Sequence, residues 1–488
     1  MNATRPRVHM FSPDQVEGVV RDAIRTLETV GVFVENAEAL ALLDGAGLTP
    51  RDNRVRIDER AIRTALATAP SRIVLYDRDG EEACDLSGDR VHFDPGSAAL
   101  HILDPGTGRR RPPVLADLVH LAWIVQTRSN LAAQSTSLVP SDVGQTMQDW
   151  VRLFVALSHS SKPVVTGTFL KESFSAMRAM LEAIRGGARE LADKPLAVFD
   201  CCPTPPLKWS DLTGQALLDC ARAGIPAELI SMPLAGATSP VTLREMVVQH
   251  CAESLSGVVI HQLARAGSPI VYGGCPAAFD MRHGTTPMGA IETMMVEVGY
   301  AQIGKHLGLP THAYMGLSDS KGVDWQAGME TGTGVILAAL AGINMVSGAG
   351  ILDFVLCQSL EKLVLDDEAC GAALRFVRGI DHDPATDAPA LLGEVVAAGH
   401  FLAHRHTRLH HRTELRPAGR VIDRATYDDW ESKGARSSLD AAREEVMRIL
   451  AKGCPEPLDG ARAMALEVIA DEECGRAGVE LPAALRVT

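Results

Sequence analysis

Four aromatic residues stand at or just after the ends of predicted strands, in a chain whose aromatic content is only 4%. They are Tyr272, Tyr314, Trp325 and Phe354. Such rings more often pack in a core, but Trp325 follows a loop of Gly, Ser and Asp, where packing explains it less well. Ring faces attract quaternary ammonium ions, with roughly 0.5–2 kcal/mol per contact. The four rings therefore predict a pocket for a cationic ligand.

Small and polar residues fill the loops around these rings. The loop at residues 347–350 reads Ser-Gly-Ala-Gly, and we expect its backbone N–H groups to form a small nest for a carboxylate. Besides the rings, the candidates for ligand binding are Asp142, Ser318, Asp319, Gln326, Gly348 and Gly350.

The predicted strand ends lack the motifs of common catalytic sites. They carry no paired carboxylates, no phosphate-binding GxxxxGK[ST] and no serine nucleophile elbow. The residues there are mainly small and hydroxylic. We therefore expect a site that holds a ligand and supplies little acid-base chemistry, and no residue is assigned a catalytic role.

A histidine-rich run near the C-terminus could in principle bind metal. His400 and His404 have the helical i, i+4 spacing of paired metal ligands, and His406 and His410 repeat it. No carboxylate accompanies them as in HExxH, and the run lies outside the strand-helix pattern described below. We expect a structural or interfacial role for the run and no metal site.

A repeating strand-helix pattern must position these residues. Predicted strands begin at residues 131, 163, 195, 226, 269, 310 and 343, about 31 to 43 residues apart, and each is followed by a polar loop and a helical segment. Seven such units in series predict an α/β fold of the (β/α)8, or TIM, barrel type, with its chemistry at the carboxyl ends of the strands. The eighth strand is either residues 98–103, or those residues form a hairpin closed by the turn at 104–108.

The remaining segments flank this barrel. Residues 1–95 are predicted to form an N-terminal α+β extension, residues 96–380 the barrel, and residues 381–488 a C-terminal helical section packed on it. A composition shift to DHDPATDAPA marks the second boundary.

Composition excludes several classes of partner. The 488 residues carry a net charge of −14, which disfavours nucleic acid and anionic membranes. The first residues contain no apolar signal region, and no run approaches the roughly 20 apolar residues of a spanning helix. The ten cysteines form no CxxC motif and indicate reduced thiols. We expect a cytoplasmic protein.

Several blocks together resemble one family. They are LDPGTGRRRPPVLADLVHLAWIV, SDSKGVDWQAGMETGTGVILAALAGINMVSGAGILD, QSLEKLVLDDEACGAALRFVRGI, HFLAHRHTRLHHRTEL and DRATYDDWESKGA. In this order, over about residues 90–450, they resemble the trimethylamine methyltransferase family. The resemblance implies a TIM barrel that moves a methyl group from a methylated amine to the Co(I) of a corrinoid (cobalamin) supplied by a separate small protein. It therefore implies a corrinoid protein and a small amine as partners, and we expect a homo-oligomer.

One departure from the family narrows the substrate. Founding members that act on trimethylamine carry pyrrolysine, whereas this chain contains only the twenty standard residues. The resemblance is thus to the non-pyrrolysine branch, as in glycine betaine:corrinoid methyltransferases, whose quaternary substrates leave as neutral amines. The alternatives are a methyltransferase with a different donor and a non-catalytic betaine-binding or regulatory paralogue.

Overall fold

The computed structural model describes residues 4–96, 98–381, 383, 386–482 and 485–486. The helices are α1 (Pro13–Thr29), α2 (Ala37–Gly45), α3 (Glu59–Thr68), α4 (Leu115–Thr127), α5 (Gln148–His159), α6 (Ser173–Arg185), α7 (Ala188–Asp193), α8 (Asp211–Ala223), α9 (Leu243–Ala264), α10 (Ile291–His306), α11 (Trp325–Ala341), α12 (Leu360–Val377), α13 (Ala388–Val395), α14 (Arg405–Glu414), α15 (Tyr427–Ser432), α16 (Ser438–Leu450) and α17 (Gly460–Ala477). The strands are β1 (Val32–Val34), β2 (Arg54–Val55), β3 (Val74–Tyr76), β4 (Glu82–Asp85), β5 (His92–Asp94), β6 (His101–Leu103), β7 (Arg110–Arg111), β8 (Gln134–Ser135), β9 (Val164–Gly167), β10 (Ala197–Cys201), β11 (Lys208–Trp209), β12 (Ala227–Ser231), β13 (Leu234–Ala235), β14 (Ile270–Gly274), β15 (Ala277–Ala278), β16 (His312–Ala313), β17 (Met345–Ser347), β18 (Ile351–Leu352) and β19 (Cys357–Gln358).

Parallel strands form the centre of the molecule, as the repeating pattern predicts. Five pair in the order β14, β12, β10, β9 and β8, and three in the order β16, β17 and β5. Two parallel bridges connect the groups, one between Tyr272 and Thr311 and one between Phe93 and Leu131. A helix follows each of the predicted strands, so the α/β class with parallel strands is confirmed.

The eighth parallel strand is β5 and not residues 98–103. Strand β5 pairs parallel with β17 among the central strands. Strand β6 instead pairs antiparallel with β7 and parallel with β19 in a separate small sheet. The turn between β6 and β7 is fixed because Asp104 Oδ1 accepts the backbone N–H groups of Gly106 and Thr107. The hairpin alternative is therefore correct, and the first central strand lies within the segment that the sequence assigns to the N-terminal extension.

A hairpin of the N-terminal segment covers the amino ends of the central strands. Its strands β3 and β4 pair antiparallel and place Leu75 and Cys84 in one buried cluster. The same cluster contains residues from near the starts of central strands: Val165, Val198, Val271 and Met345. This end of the central strands is therefore filled with apolar side chains.

The two terminal segments pack on the outer helices. Helix α1, which begins with a capping box of Ser12 and Gln15, and helix α3 lie on α9. Helix α16 lies on α12 and α4, and α17 lies on α6. Within the described residues, no helix is long and apolar enough to cross a bilayer.

Residues 386–436, which we call the C-terminal arm, pack less closely. Helices α14 and α15 bury no residue, and α13 buries only Val395. Large apolar side chains are exposed along the arm: Leu392, Val396, Leu402, Leu409, Leu415 and Tyr427. The arm therefore presents apolar surface that this chain does not cover itself.

Candidate functional site

A cavity of about 730 Å³ opens at the carboxyl ends of the central strands. Apolar side chains, among them Ile230, Leu234 and Met288, form much of its wall. Asp200 and Tyr314 contribute polar groups to the lining. Parallel α/β proteins bind their ligands at this edge of the sheet, so the cavity is the candidate active site.

Two carboxylates lie side by side in the strands that line this cavity. Asp200 of β10 and Glu228 of β12 are register partners on neighbouring parallel strands. Tyr314 Oη donates a hydrogen bond to Asp200 Oδ2 at 3.2 Å. Burial, and then the negative charges of Asp200 and Asp94, raise the pKa of Glu228 well above its usual range. The charged form of Glu228 is therefore disfavoured by its surroundings.

A third carboxylate belongs to a chain of buried polar groups next to this pair. Ser347 Oγ donates to Asp94 Oδ2 at 2.7 Å, and His312 Nε2 lies 3.0 Å from Ser347 Oγ and 3.9 Å from Glu228 Oε2. Burial lowers the pKa of His312 to about 3, so its ring is neutral. Burial also raises the pKa of Asp94 to about 7, although Ser347 and Gly96 donate hydrogen bonds to it.

These groups overturn the expectation of a site without paired carboxylates. Asp200 and Glu228 were missed because each is a single acid within an apolar strand, whereas polar groups were expected on the residues that follow the strands. The signal was nevertheless present. Both faces of a parallel sheet are covered, one by helices and the other by the interior of the molecule. An acid flanked by apolar residues in a predicted parallel strand is therefore buried on whichever face it lies.

A buried arginine forms part of the opposite lining. Arg152 of α5 is 1% exposed and contacts Asp149 at 3.1 Å between Nη2 and Oδ1. Its Nη1 donates to the carbonyl oxygen of Thr136 at 3.1 Å, and its guanidinium lies 4.4 Å from the centre of the Phe169 ring. Arg152 could not be predicted from the sequence, because an arginine in an amphipathic helix is ordinarily expected to face solvent.

Of the predicted rings, Tyr314 and Phe354 line the cavity. The Lys321 ammonium already lies 3.8 Å from the centre of the Phe354 ring, so that ring face is partly taken. Trp325 begins α11, is 79% exposed and does not line the cavity. Tyr314 therefore belongs to the cavity lining, whereas Trp325 lies outside it.

Tyr272 lies on the other side of its strand. Strand alternation places Val271 and Gly273 toward the interior, so Tyr272 points outward between the strands and helices α9 and α10. Its Oη is 3.4 Å from His250 Nδ1, and its ring is 6.3 Å from that of Tyr300. Tyr272 is therefore a core residue and does not reach the ligand cavity.

Three predicted polar residues meet around Glu330, beside the cavity. Ser318 Oγ donates to Glu330 Oε2, and Gln326 donates to Glu330 Oε1 at 3.0 Å. Asp319 accepts the backbone N–H groups of Met288 and Gly289, both at 2.9 Å. Because Met288 lines the cavity, this network holds one wall in place without contributing its own polar groups to the lining.

The predicted anion nest is not formed. The N–H groups of Gly348 and Ala349 donate to the carbonyl oxygen of Asp94, and that of Gly350 donates to Asp366 Oδ2 at 2.7 Å. These donors are engaged by the protein itself. Asp142 is also occupied elsewhere, since it accepts the N–H of Leu115 at the start of α4.

The histidine run lies on the exposed arm. His404 Nε2 is 3.0 Å from Glu394 Oε2, and the rings of His406 and His410 are 4.5 Å apart. Among the residues that the structure describes, no group of three or more His, Cys, Asp or Glu side chains is arranged to hold a metal ion.

Comparison with known proteins places the chain among methyltransferases. The model of the trimethylamine methyltransferase family matches residues 1–472. Trimethylamine methyltransferase MttB of Desulfitobacterium hafniense is 30% identical over 471 residues, covering 96% of this chain and 95% of that protein. Glycine betaine methyltransferase of the same species is 29% identical over 461 residues, covering 94% and 96%.

Solved structures show a similar fold. The monomethylamine methyltransferase MtmB of Methanosarcina barkeri has a TM-score of 0.50 at 12% identity, covering 90% of this chain and 89% of that one. A hydroxylamine complex of MtmB has a TM-score of 0.51 with the same coverage. Fold and sequence agree, and the chain belongs to the trimethylamine methyltransferase family.

Proposed function

We propose that this methyltransferase moves a methyl group from a small quaternary amine, glycine betaine or a similar betaine, to the Co(I) of a corrinoid carried by a partner protein. The observation that carries this proposal is the cavity at the strand ends, which combines an apolar wall with Tyr314 and the carboxylate of Asp200. A methylated ammonium has an apolar surface and a positive charge. The cavity offers a complement to both properties.

The charge of the interior supports a cationic substrate. Asp94, Asp200 and Glu228 are clustered there. Burial and then the charge of Asp200 raise the pKa of Asp94, and burial and then the charges of Asp200 and Asp94 raise the pKa of Glu228. A bound cation relieves this repulsion, and the attraction is stronger in a buried site than in water. A quaternary nitrogen donates no hydrogen bond, so charge and the ring face of Tyr314 are the contacts available to it.

The proposed transfer needs no proton from the protein. The N–CH₃ bond breaks with its electron pair left on nitrogen, so the amine departs neutral. The Co(I) centre supplies the pair for the new Co–CH₃ bond and becomes formally Co(III). The protein aligns the methyl group with cobalt and excludes water from the cavity.

The acceptor is proposed to approach the cavity from the carboxyl ends of the strands. We propose that the eight parallel strands close into a (β/α)8 barrel, which the bridges at Tyr272–Thr311 and Phe93–Leu131 support. The barrel then begins at β5, and the C-terminal helical section packs outside it.

Exposed apolar side chains surround the mouth on loops that follow the strands: Leu100, Phe169, Met232, Val241 and Met281. Such a rim suits a protein that covers the mouth while it presents its corrinoid.

The test is methyl transfer itself. The protein is incubated anaerobically with glycine betaine and a reduced corrinoid protein, and absorbance follows the loss of Co(I) and the gain of methyl-Co(III). Conversion supports the proposal. Betaine binding by calorimetry without conversion would instead favour the non-catalytic paralogue, and neither binding nor conversion would indicate a different donor.

A further inference from the structure

Arg152 has hydrogen-bonding capacity that the protein does not use. Its Nε donates to the carbonyl oxygen of Gln148 at 3.2 Å, its Nη1 to Thr136 and its Nη2 to Asp149. A guanidinium has five N–H donors. Within the described residues, one N–H on each terminal nitrogen is therefore left without a protein acceptor.

The position of Arg152 brings its guanidinium to the cavity. Arg152 lines the same cavity as Asp200 and Tyr314. Asp149 is 1% exposed and holds Arg152 in place, because its other oxygen accepts the N–H groups of Phe169 and Leu170 at 2.8 and 3.0 Å. The Phe169 ring lies over the guanidinium. The side chain is thus held rigidly, which favours a planar, two-point contact.

We propose that Arg152 binds a carboxylate of the substrate, so that the cavity selects zwitterions over simple ammonium ions. This inference rests on the proposed function and extends it to the second end of the ligand. The cationic end lies against Tyr314 and Asp200. The carboxylate accepts the two remaining N–H groups of Arg152 and replaces the Gly348–Gly350 loop, whose donors are engaged, as the anion site.

Electrostatic balance supports the assignment. Asp149 neutralises Arg152 in the free protein, and a buried guanidinium with unused donors is costly to leave without acceptors. A carboxylate that accepts both N–H groups forms a charge-assisted, bidentate contact, the strongest class of hydrogen bond available here. A cation without a carboxylate, such as tetramethylammonium, cannot form this bidentate contact with Arg152.

The first experiment uses the unmodified protein. Calorimetry compares glycine betaine, its methyl ester and tetramethylammonium, which share the trimethylammonium group or its close equivalent. We expect glycine betaine to bind at least tenfold more tightly than the other two ligands. Equal affinity for all three would overturn the inference while leaving the proposed function standing. Binding by none of them would count against both.

The second experiment separates binding from structure. Arg152→Lys keeps the charge beside Asp149 but lacks the two-point fork. We expect the Kd for glycine betaine to rise at least tenfold and that for tetramethylammonium to change less than twofold. Arg128→Lys is the matched control, because Arg128 forms a comparable ion pair with Glu445 at 3.0 Å outside the cavity lining. Equal losses for both ligands in Arg152→Lys would show a merely structural role and overturn the inference.

Discussion

At the scale of single residues, Asp200 is the most important residue for the proposed function. It lines the cavity, accepts a hydrogen bond from Tyr314 and lies opposite Glu228 on the next strand. Glu228 is fully buried, and burial raises its pKa. Asp200 is therefore the charge that a cation in the cavity meets first.

Replacing Asp200 by asparagine removes this charge and keeps the shape of the side chain. We expect the Kd for tetramethylammonium to rise about tenfold or more, because a charged contact in a buried site contributes about 1.5–3 kcal/mol. Isothermal titration calorimetry measures the change. Glu297→Gln is the control, since Glu297 is also fully buried but does not line the cavity. Similar losses in both variants would refute a specific role for Asp200.

Asp94 predicts a pH dependence of stability. Burial raises its pKa in the folded protein from an ordinary 3.8 to about 7. The folded state therefore binds more protons than the unfolded state between these values, and stability falls as pH rises through this window. The asparagine of the Asp94→Asn variant does not titrate, so the variant does not lose stability in this way. The thermal midpoint of the variant minus that of the unmodified protein should therefore increase from pH 5 to pH 8. A difference that stays constant across this range would contradict the shift.

Tyr272 and Tyr314 show what the sequence could and could not predict at this scale. Both follow β-forming residues, and both were expected at the ligand. Only Tyr314 faces the interior, because the choice of face depends on strand register, and one residue of shift exchanges the two faces. Loop residues such as Gly348 and Asp319 were placed near the right edge, but their hydrogen bonds are made with partners distant in sequence, which no local pattern reveals.

At the scale of elements, the hairpin of β3 and β4 packs against the amino ends of the central strands. Leu75 is fully buried in the cluster that fills the amino ends of these strands. The cavity lies at the opposite ends. Stability and ligand binding should therefore respond separately to changes in this hairpin.

Leu75→Ala tests that separation. We expect the free energy of unfolding to fall by about 2–5 kcal/mol, the usual cost of removing a buried leucine side chain. The Kd for glycine betaine should stay within twofold, because the change is remote from the cavity. Denaturant unfolding and calorimetry measure the two quantities, with Glu81→Ala on the exposed part of the hairpin connection as control. A large loss of affinity in a folded Leu75→Ala protein would show that the two ends are coupled.

The order of elements was the most predictable part of the fold. Seven strands at regular spacing were located because each is apolar, short and followed by a polar loop and a helix. The eighth strand was not located: residues 98–103 were considered for it, and the true strand is β5. Strand β5 was hard to recognise because it has only three residues and no helix follows it directly. Its assignment depends on pairing with β17, a contact across some 250 residues of sequence.

At the scale of the whole molecule, one segment of the C-terminal arm, residues 404–424, differs in charge from the rest of the chain. Residues 404–424 contain six arginines and two carboxylates, whereas the net charge of the chain is −14. The arm also exposes Leu402 and Leu409, which are 81% and 59% accessible. We propose that the arm packs on a second copy of this chain, whose acidic surface complements it, and that the protein is a homo-oligomer.

The double variant Leu402→Glu/Leu409→Glu should dissociate this oligomer, because it places two carboxylates in the proposed contact. Light scattering after gel filtration measures the mass, and we expect the variant to shift toward the monomer. Met447→Glu, at another exposed apolar residue outside the arm, should leave the mass unchanged. An unmodified protein that is already monomeric, or a double variant of unchanged mass, would contradict this interface.

The measurement that tests the central claim most directly is a comparison of methyl donors. Glycine betaine and trimethylamine are supplied separately and anaerobically to the protein with the same reduced corrinoid protein, while absorbance follows the formation of methyl-Co(III). A parallel run with free cob(I)alamin guards against a failure of the two proteins to dock. We expect methylation by glycine betaine and none above the enzyme-free rate by trimethylamine, because the betaine leaves as a neutral amine and also offers a carboxylate to Arg152. Faster methylation by trimethylamine would contradict the proposal that this cavity is built for a quaternary donor.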